Sequence, residues 1–224
     1  MKTSTWPMKT STAWTIGSVI AVAVAIAAIW IVSSMSNAAR TQAGPADAAP
    51  TVAEDSRRLT DPEGSTVTFV EFLDFECEVC GAVYPSIERL KAEYADRVTF
   101  VVRYFPIPGH RNSMTSAVAV EAAAQQGRFE EMYQRMFTTQ AEWGEQQDSK
   151  AAVFRGFAEE LGLDLAAYDA AVADPATETR VRADFDAGRS LGVNGTPTIF
   201  INDRLVEFRS EADLRDALQR ALNG

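Results

Sequence analysis

The chain has 224 residues, 46% of them apolar, which suffices for the core of one medium-sized domain with appendages and argues against disorder throughout. Its 31 Asp and Glu outnumber 21 Lys and Arg, for a net charge of -10. That balance excludes a phosphate-neutralising surface and, with it, nucleic acid as a partner.

Residues 1–13 carry Lys2 and Lys9, no acid, and the pentapeptide MKTST twice, so that Met1 and Met8 both stand open as starts. Residues 14–32, "WTIGSVIAVAVAIAAIWIV", form an uncharged run of about 19 residues, close to the ~20 that a helix needs to cross a bilayer. A cleaved signal has a shorter apolar core, about 7 to 15 residues, so an uncleaved anchor is favoured over cleavage near Ser36-Asn37-Ala38. No cysteine stands at the end of the run to carry a lipid. With the lysines on its short side, residues 1–13 are expected in the cytoplasm and everything after Val32 outside. The expectation is a single-pass chain of the cell membrane with an extracytoplasmic C-terminal domain.

Residues 33–58 are small, polar and rich in Ala and Pro, and read as a flexible tether to a folded domain over residues 59–224. "TVTFVEFLDF" is β-branched and aromatic on both faces, which predicts a strand at the centre of a sheet. A helix is expected over residues 77–95, with Ile87, Leu90 and Tyr94 at helical spacing beyond Pro85. "RVTFVVRYFP" predicts a second buried strand, and residues 113–190 are helical by pattern. There Gly127 and Gly162 stand as C-terminal caps and Asp148, Asp164 and Asp174 as N-caps, the last followed by Pro175 at the first helical position. Phe129, Met132, Tyr133, Met136 and Phe137 form a stripe read as a core face. "TPTIFI", a turn at Asn202-Asp203-Arg204, "LVEF" and a helix bearing Leu214, Leu218 and Ala221 complete the order: strand, helix, strand, helical insertion, two strands, helix.

The two cysteines of the chain, Cys77 and Cys80, lie together in "FECEVCGAVYP". Zinc needs three or four protein ligands and His110 is the one histidine, so no metal is expected. A structural bridge across so short a loop removes little chain entropy. Redox chemistry is the strong reading. In the first turn of a helix, Cys77 meets unpaired backbone N–H groups and the positive end of the helix dipole, which stabilise a thiolate, and Cys80 can fold back as the resolving thiol. Cys77 is expected to be the exposed sulfur and Cys80 the buried one.

Glu71 shares a strand face with Val67, Phe69 and Leu73, where an ionised carboxylate is costly without partners. Two readings stand beside each other: a functional buried acid, or an acid paired with a cation such as Arg103. Glu76 and Glu78 flank Cys77 and either raise its pKa or are solvated surface. His110, in "PIPGHRNS", is read as satisfying local groups, and Trp143 either lines an apolar substrate surface or packs inward. Phosphate loops, nucleotide fingerprints and serine triads are absent from the sequence, so the chemistry rests on sulfur with no organic cofactor.

"FVEFLDFECEVC", "VVRYFPIPGHRNS", the helical insertion and "GVNGTPTIFIN" together resemble the DsbA-like thiol-disulfide oxidoreductases over residues 59–224. The resemblance implies an α/β, thioredoxin-like fold with an inserted α-helical domain, here preceded by one transmembrane helix. It makes Cys77 the nucleophile, Cys80 the resolving cysteine and Glu71 the buried acid of proton transfer. Thr196 and Pro197 match a loop whose cis proline faces the active site and binds substrate through strand-like backbone contacts. Prominent oxidants of the family carry histidine where this chain has Val79, so a less strongly stabilised thiolate is expected. The implied activity is oxidation of cysteine pairs in unfolded secreted proteins by a monomer, which a membrane redox partner then reoxidises. A reductase or isomerase on the same fold, or a redox-inert binding module, stands as the alternative.

Overall fold

A strand apolar on both faces needs a packed layer on each side, and the structure supplies both. The computed structural model describes residues 49–224. The expected cytoplasmic segment, the membrane run and residues 33–48 of the expected tether lie outside the described residues. Among the described residues no helix is long and apolar enough to cross a membrane.

Five strands form one sheet in the order β1 (Arg57–Arg58), β3 (Val98–Tyr104), β2 (Val67–Leu73), β4 (Thr198–Ile201) and β5 (Arg204–Val206). β2 is central, parallel to β3 and antiparallel to β4, with Glu71 opposite Val102 on one side and Ile199 on the other. Parallel strands need a crossover, and α1 (Glu78–Tyr94) provides it. Between β3 and β4 run α2 (Ser113–Ala124), α3 (Phe129–Thr138), α4 (Gln140–Trp143), α5 (Ala151–Glu160), α6 (Leu165–Ala173) and α7 (Pro175–Ser190). The last helix is α8 (Glu211–Asn223).

Alternation along β2 divides the core. Val67 and Phe69 pack with Ile87 and Leu90 of α1 and Leu214 and Leu218 of α8. Val70 and Phe72 pack on the other face with Phe105, Phe200 and Phe185 of α7. A third cluster fills the helical insertion and reaches Leu73, Phe75, Cys77 and Cys80, so the cysteines lie where the end of the sheet meets the inserted helices. The stripe Phe129, Met132, Tyr133, Met136 and Phe137 is buried there.

Gly188 on α7 shows how closely that helix is seated: a Cβ there would come within 2.8 Å of the Phe105 ring and 3.0 Å of Phe72. Beside it is a buried charged layer. Asp184 accepts from Arg103 Nε at 2.5 Å and from the Tyr104 N–H at 3.1 Å, and Arg180 Nη1 stands 2.8 Å away. Glu121 accepts from Arg57 and from Tyr104 Oη. Burial pushes the Asp184 carboxyl up against the pull of the two guanidiniums. Asp184 falls on the inner face of α7 with Thr177, Val181 and Gly188.

Three expectations change. Arg103 does not pair with Glu71: it stands opposite Phe72 in the register, one residue out of phase, and therefore faces Asp184. Residues 50–58 are packed chain rather than tether, because Arg103 donates to the carbonyls of Pro50 and Thr51 and β1 pairs with β3. Asp148 does not cap α5; Asn112 Oδ1 takes the N–H of Lys150 at 2.8 Å, while the Asp148 carboxylate pairs with Lys150 Nζ at 2.9 Å. Asp164 and Asp174 do cap their helices, and Gly127 and Gly162 adopt φ of 73° and 71° at helix ends.

Candidate active site

Where β2 ends, Asp74 organises the turn that delivers the cysteines. Its backbone carbonyl accepts from the Cys77 N–H at 3.1 Å, and its buried carboxylate accepts from the N–H groups of Glu76 and Ile107 at 2.9 and 3.0 Å. His110 Nδ1 lies 2.7 Å from the same carboxylate. One side chain thus ties the loop after β3 to the active-site turn. Gln140 of α4 holds the other side, its amide donating to the carbonyls of Phe75 and Cys77 at 2.8 Å each. It sits so close that a Cβ at Gly81 would clash with it.

Cys77 occupies the N-cap position of α1, with φ -67° and ψ 118°, and no side chain caps the first turn. Its sulfur lies 3.5 Å from the Thr196 carbonyl oxygen, and the Thr196–Pro197 peptide is cis. Cys77 is 6% exposed and Cys80 1%, both unbridged thiols. The expected exposed attacker is therefore largely covered, because the loop carrying Thr196 lies against it.

The two sulfurs differ in ionisation. A hydrogen bond from the Cys80 thiol lowers Cys77 to about 5 against the opposing effect of burial, and three further donors help. These are the Thr196 side chain and the backbone N–H groups of Cys80 and Val79. Cys80 goes the other way: burial, then its bond to Cys77 and the charge of Glu71, push it well above the ordinary thiol range. Glu71 is pushed up to about 8 by burial first, then by the charges of Glu88 and Cys77. An acid that is neutral below about pH 8 can hold a proton beside a thiol that must gain or lose one.

The donor geometry gives a direct prediction. The ultraviolet thiolate absorbance of Cys77 should have its midpoint near pH 5, and Cys80→Ala should move that midpoint upward by removing the first of the donors. An unmoved midpoint would exclude the Cys80 thiol and leave the stabilisation to Thr196 and the helix terminus.

The remaining expectations resolve by packing. Glu76 is not solvated surface: it is 2% exposed, accepts from the Asn112 N–H, and leaves Oε1 without a partner among the described residues. Glu78 is exposed, and its proximity raises the carboxyl of Glu145. Trp143 packs inward against Phe154 and donates to the Met136 carbonyl. The His110 imidazole pairs with Asp74, while its backbone N–H donates locally to the Ile107 carbonyl. Asp74 and Gln140 are the residues that sequence reasoning missed; the first closes "FVEFLD" as an acid ending an apolar strand, a readable signal, and the second has none.

Beside the sulfurs runs an open groove of about 570 Å³, lined among others by Val79, Val83, Thr196, Pro197, Leu205 and Phe208. Val79 and Leu205 are 51% and 58% exposed along it, and β5 forms an edge of the sheet.

Residues 53–220 match the family model described as Thioredoxin. Among solved structures, a thioredoxin-like oxidoreductase from Silicibacter pomeroyi DSS-3 is 28% identical with a TM-score of 0.65, covering 77% of this chain and 95% of that one. The thiol-disulfide exchange protein alpha-DsbA2 from Wolbachia pipientis is 25% identical with a TM-score of 0.60, covering 72% and 84%. Among curated relatives, the Na(+)/H(+) antiporter NhaA 3 of Salinispora tropica is 36% identical over 151 residues, 67% of this chain and 22% of its own length. The chain spans about a quarter of the length of the curated relatives it matches.

Proposed function

The chain belongs to the thioredoxin family, with the fold of the DsbA-like thiol-disulfide oxidoreductases, and from that premise we propose that it oxidises cysteine pairs in unfolded secreted proteins through Cys77 and Cys80. The observation that carries this reading is the opposed ionisation of the two sulfurs. In the disulfide form, a client thiolate attacks Cys77, the Cys77–Cys80 bond breaks, and Cys80 leaves with the electron pair and takes a proton. A second client thiolate attacks its own sulfur in the mixed disulfide, and Cys77 leaves as a thiolate. Two client thiols become one disulfide and the enzyme becomes a dithiol. A thiolate stabilised to about 5 is a good leaving group and favours the reduced enzyme, which supports oxidation of the client over its reduction.

The groove beside Thr196 and Pro197 gives an extended client a place to lie, with Val79 and Leu205 as apolar contacts. The apolar run at residues 14–32 supports a tether that holds the domain outside the cytoplasm; on this reading the chain works as a monomer, and a membrane redox partner recharges it without an organic cofactor. The antiport named for the longer relatives is not carried over to a chain that matches a quarter of them.

Equilibration of the purified domain against glutathione redox buffers, with the Cys77–Cys80 couple read by alkylation, tests the reading. The expected couple is more oxidising than glutathione. A more reducing couple would make the chain a reductase, and no exchange at all would leave a redox-inert module.

A further inference from the structure

Glu71 is buried at the end of the sheet, and a proton that it exchanges with Cys80 needs a way to water. One face of α1 carries Cys80, Tyr84, Glu88 and Lys91 at helical spacing, running away from the active site. It packs against α3, where Tyr84 meets Tyr133 at 5.6 Å between ring centroids and stacks on Phe137 at 5.0 Å. Along this seam two buried polar atoms have no partner among the described residues, Glu88 Oε1 and Tyr133 Oη. Buried polar atoms in that state mark a functional or hydrated position. Glu88 Oε2 lies 2.9 Å from Lys91 Nζ, which in turn reaches Glu130 Oε1 at 2.5 Å. The line ends at solvent: the side chains of Glu88 and Lys91 are 23% and 10% exposed and that of Glu130 is 43% exposed.

We infer that Glu88, with Lys91 and Glu130 at its mouth, is the outlet that carries protons between Glu71 and solvent, and that it acts as a positioning residue for the exchange at Cys80. The electrostatics agree with the geometry. After burial, the charge of Glu88 is the largest influence holding Glu71 up, and Tyr133 feels Glu71, Glu88, Tyr84 and Cys80. The ionisable groups facing Glu88 are Glu71 of β2, Tyr84 and Lys91 of α1, and Glu130 and Tyr133 of α3. The charges of α8 belong to the other flank of α1, where Glu211 and Arg215 engage Arg89 and Glu93, and Arg103 of β3 is held by Asp184.

The inference rests on the proposed exchange. In the resolving step Cys80–SH gives its proton to the Glu71 carboxylate, and its sulfur attacks Cys77 in the mixed disulfide. The bond to the client breaks and the client leaves as a thiolate. Glu71 then passes the proton to the Glu88 carboxylate and on to water at Glu130. The reverse sequence supplies a proton to Cys80 when the enzyme's disulfide is opened.

Oxidised glutathione mixed with the reduced domain separates the steps, because Cys77 attack forms an adduct and Cys80 attack releases glutathione from it. Both are read by acid quench and mass spectrometry across pH. In Glu88→Gln, adduct formation should stay at the wild-type rate while release slows about fivefold or more, a partial loss on the roughly 10²–10⁴-fold scale of a general acid–base contribution. Its pH profile should shift to lower pH as Glu71 loses a neighbouring negative charge, and Glu88→Asp should restore the wild-type behaviour. Unchanged release and profile in Glu88→Gln, or equal slowing of both steps, would overturn the outlet. A wild-type chain that forms no adduct would overturn the exchange reading itself, and the outlet with it.

Discussion

A Cys80→Ser chain is expected to accumulate covalent client adducts, and a Cys77→Ser chain to form none. With Cys77 lowered to about 5, it is almost wholly thiolate at neutral pH and attacks a client disulfide, expelling one client sulfur and keeping the other in a mixed disulfide. Serine at position 80 cannot attack that bond, so the adduct persists until an external thiol cleaves it. Cys77→Ser leaves a single thiol that is 1% exposed and raised well above the ordinary range. Burial, the largest cause of that shift, remains in the variant and disfavours the Cys80 thiolate, so exchange should fall steeply. Non-reducing gels of the two variants, incubated with a client, read the outcome. Equal trapping by both, or trapping through Cys80 alone, would reverse the assigned roles.

Glu71→Gln should make the domain more stable at alkaline pH and slower at chemistry. The native carboxyl titrates at about 8, raised from 4.5, so below the unfolded value it is neutral in both states and costs nothing extra. As pH rises from there through about 8, the unfolded chain gains by ionising while the buried acid does not, and stability is lost. Glutamine removes that loss. The shift corresponds to roughly 3–5 kcal/mol above pH 8 and to no gain near pH 4. Cys77 has the opposite sign: in the reduced domain its lowered thiol adds stability that is full above the unfolded value and disappears as pH falls through about 5. Chemical denaturation of both variants in the same redox state, at pH 4, 6 and 9, isolates Glu71. A variant that gains equally at all three would show a packing effect. Because glutamine cannot take the Cys80 proton, thiol exchange should also slow, by about a hundredfold on the scale of a lost general base.

Period and spacing made the outline of this molecule readable. The double apolar face of "VTFVEFL" announced a central strand, and the same alternation placed Glu71 on the face of Val67 and Phe69. The position of Cys77 ahead of a helical pattern placed it at a helix N-terminus. What stayed hidden depends on contacts between distant segments. Glu76 reads as surface beside Glu78 until Asn112 reaches it from 36 residues away. Lys150 looks like an ordinary residue after Asp148 until Asn112 takes its N–H. Arg103 could have served either strand face's acid; the register with Phe72 decided for Asp184, whose place among Thr177, Val181 and Gly188 on an inner helical face was the available sign. The short pairing of Arg57 and Arg58 with β3 has no pattern of its own and follows from the charges that hold residues 50–58.

If the chain acts as proposed, the seating of α7 bears on how a client is received. Phe72 and Phe105 leave no room for a side chain at Gly188, and Asp184 binds Arg103 and Arg180 out of reach of water. Removing one partner of a buried ion pair costs about 3–5 kcal/mol, so Asp184 and Arg103 are a strong point of attachment between α7 and the sheet. That packing makes a fixed seat beside the site, and in the proposed exchange adaptation would fall on the incoming polypeptide. Under the proposed function, such a seat would favour an unfolded client, which can adapt to it, over a folded one, so selection would act on plasticity before any client residue is read.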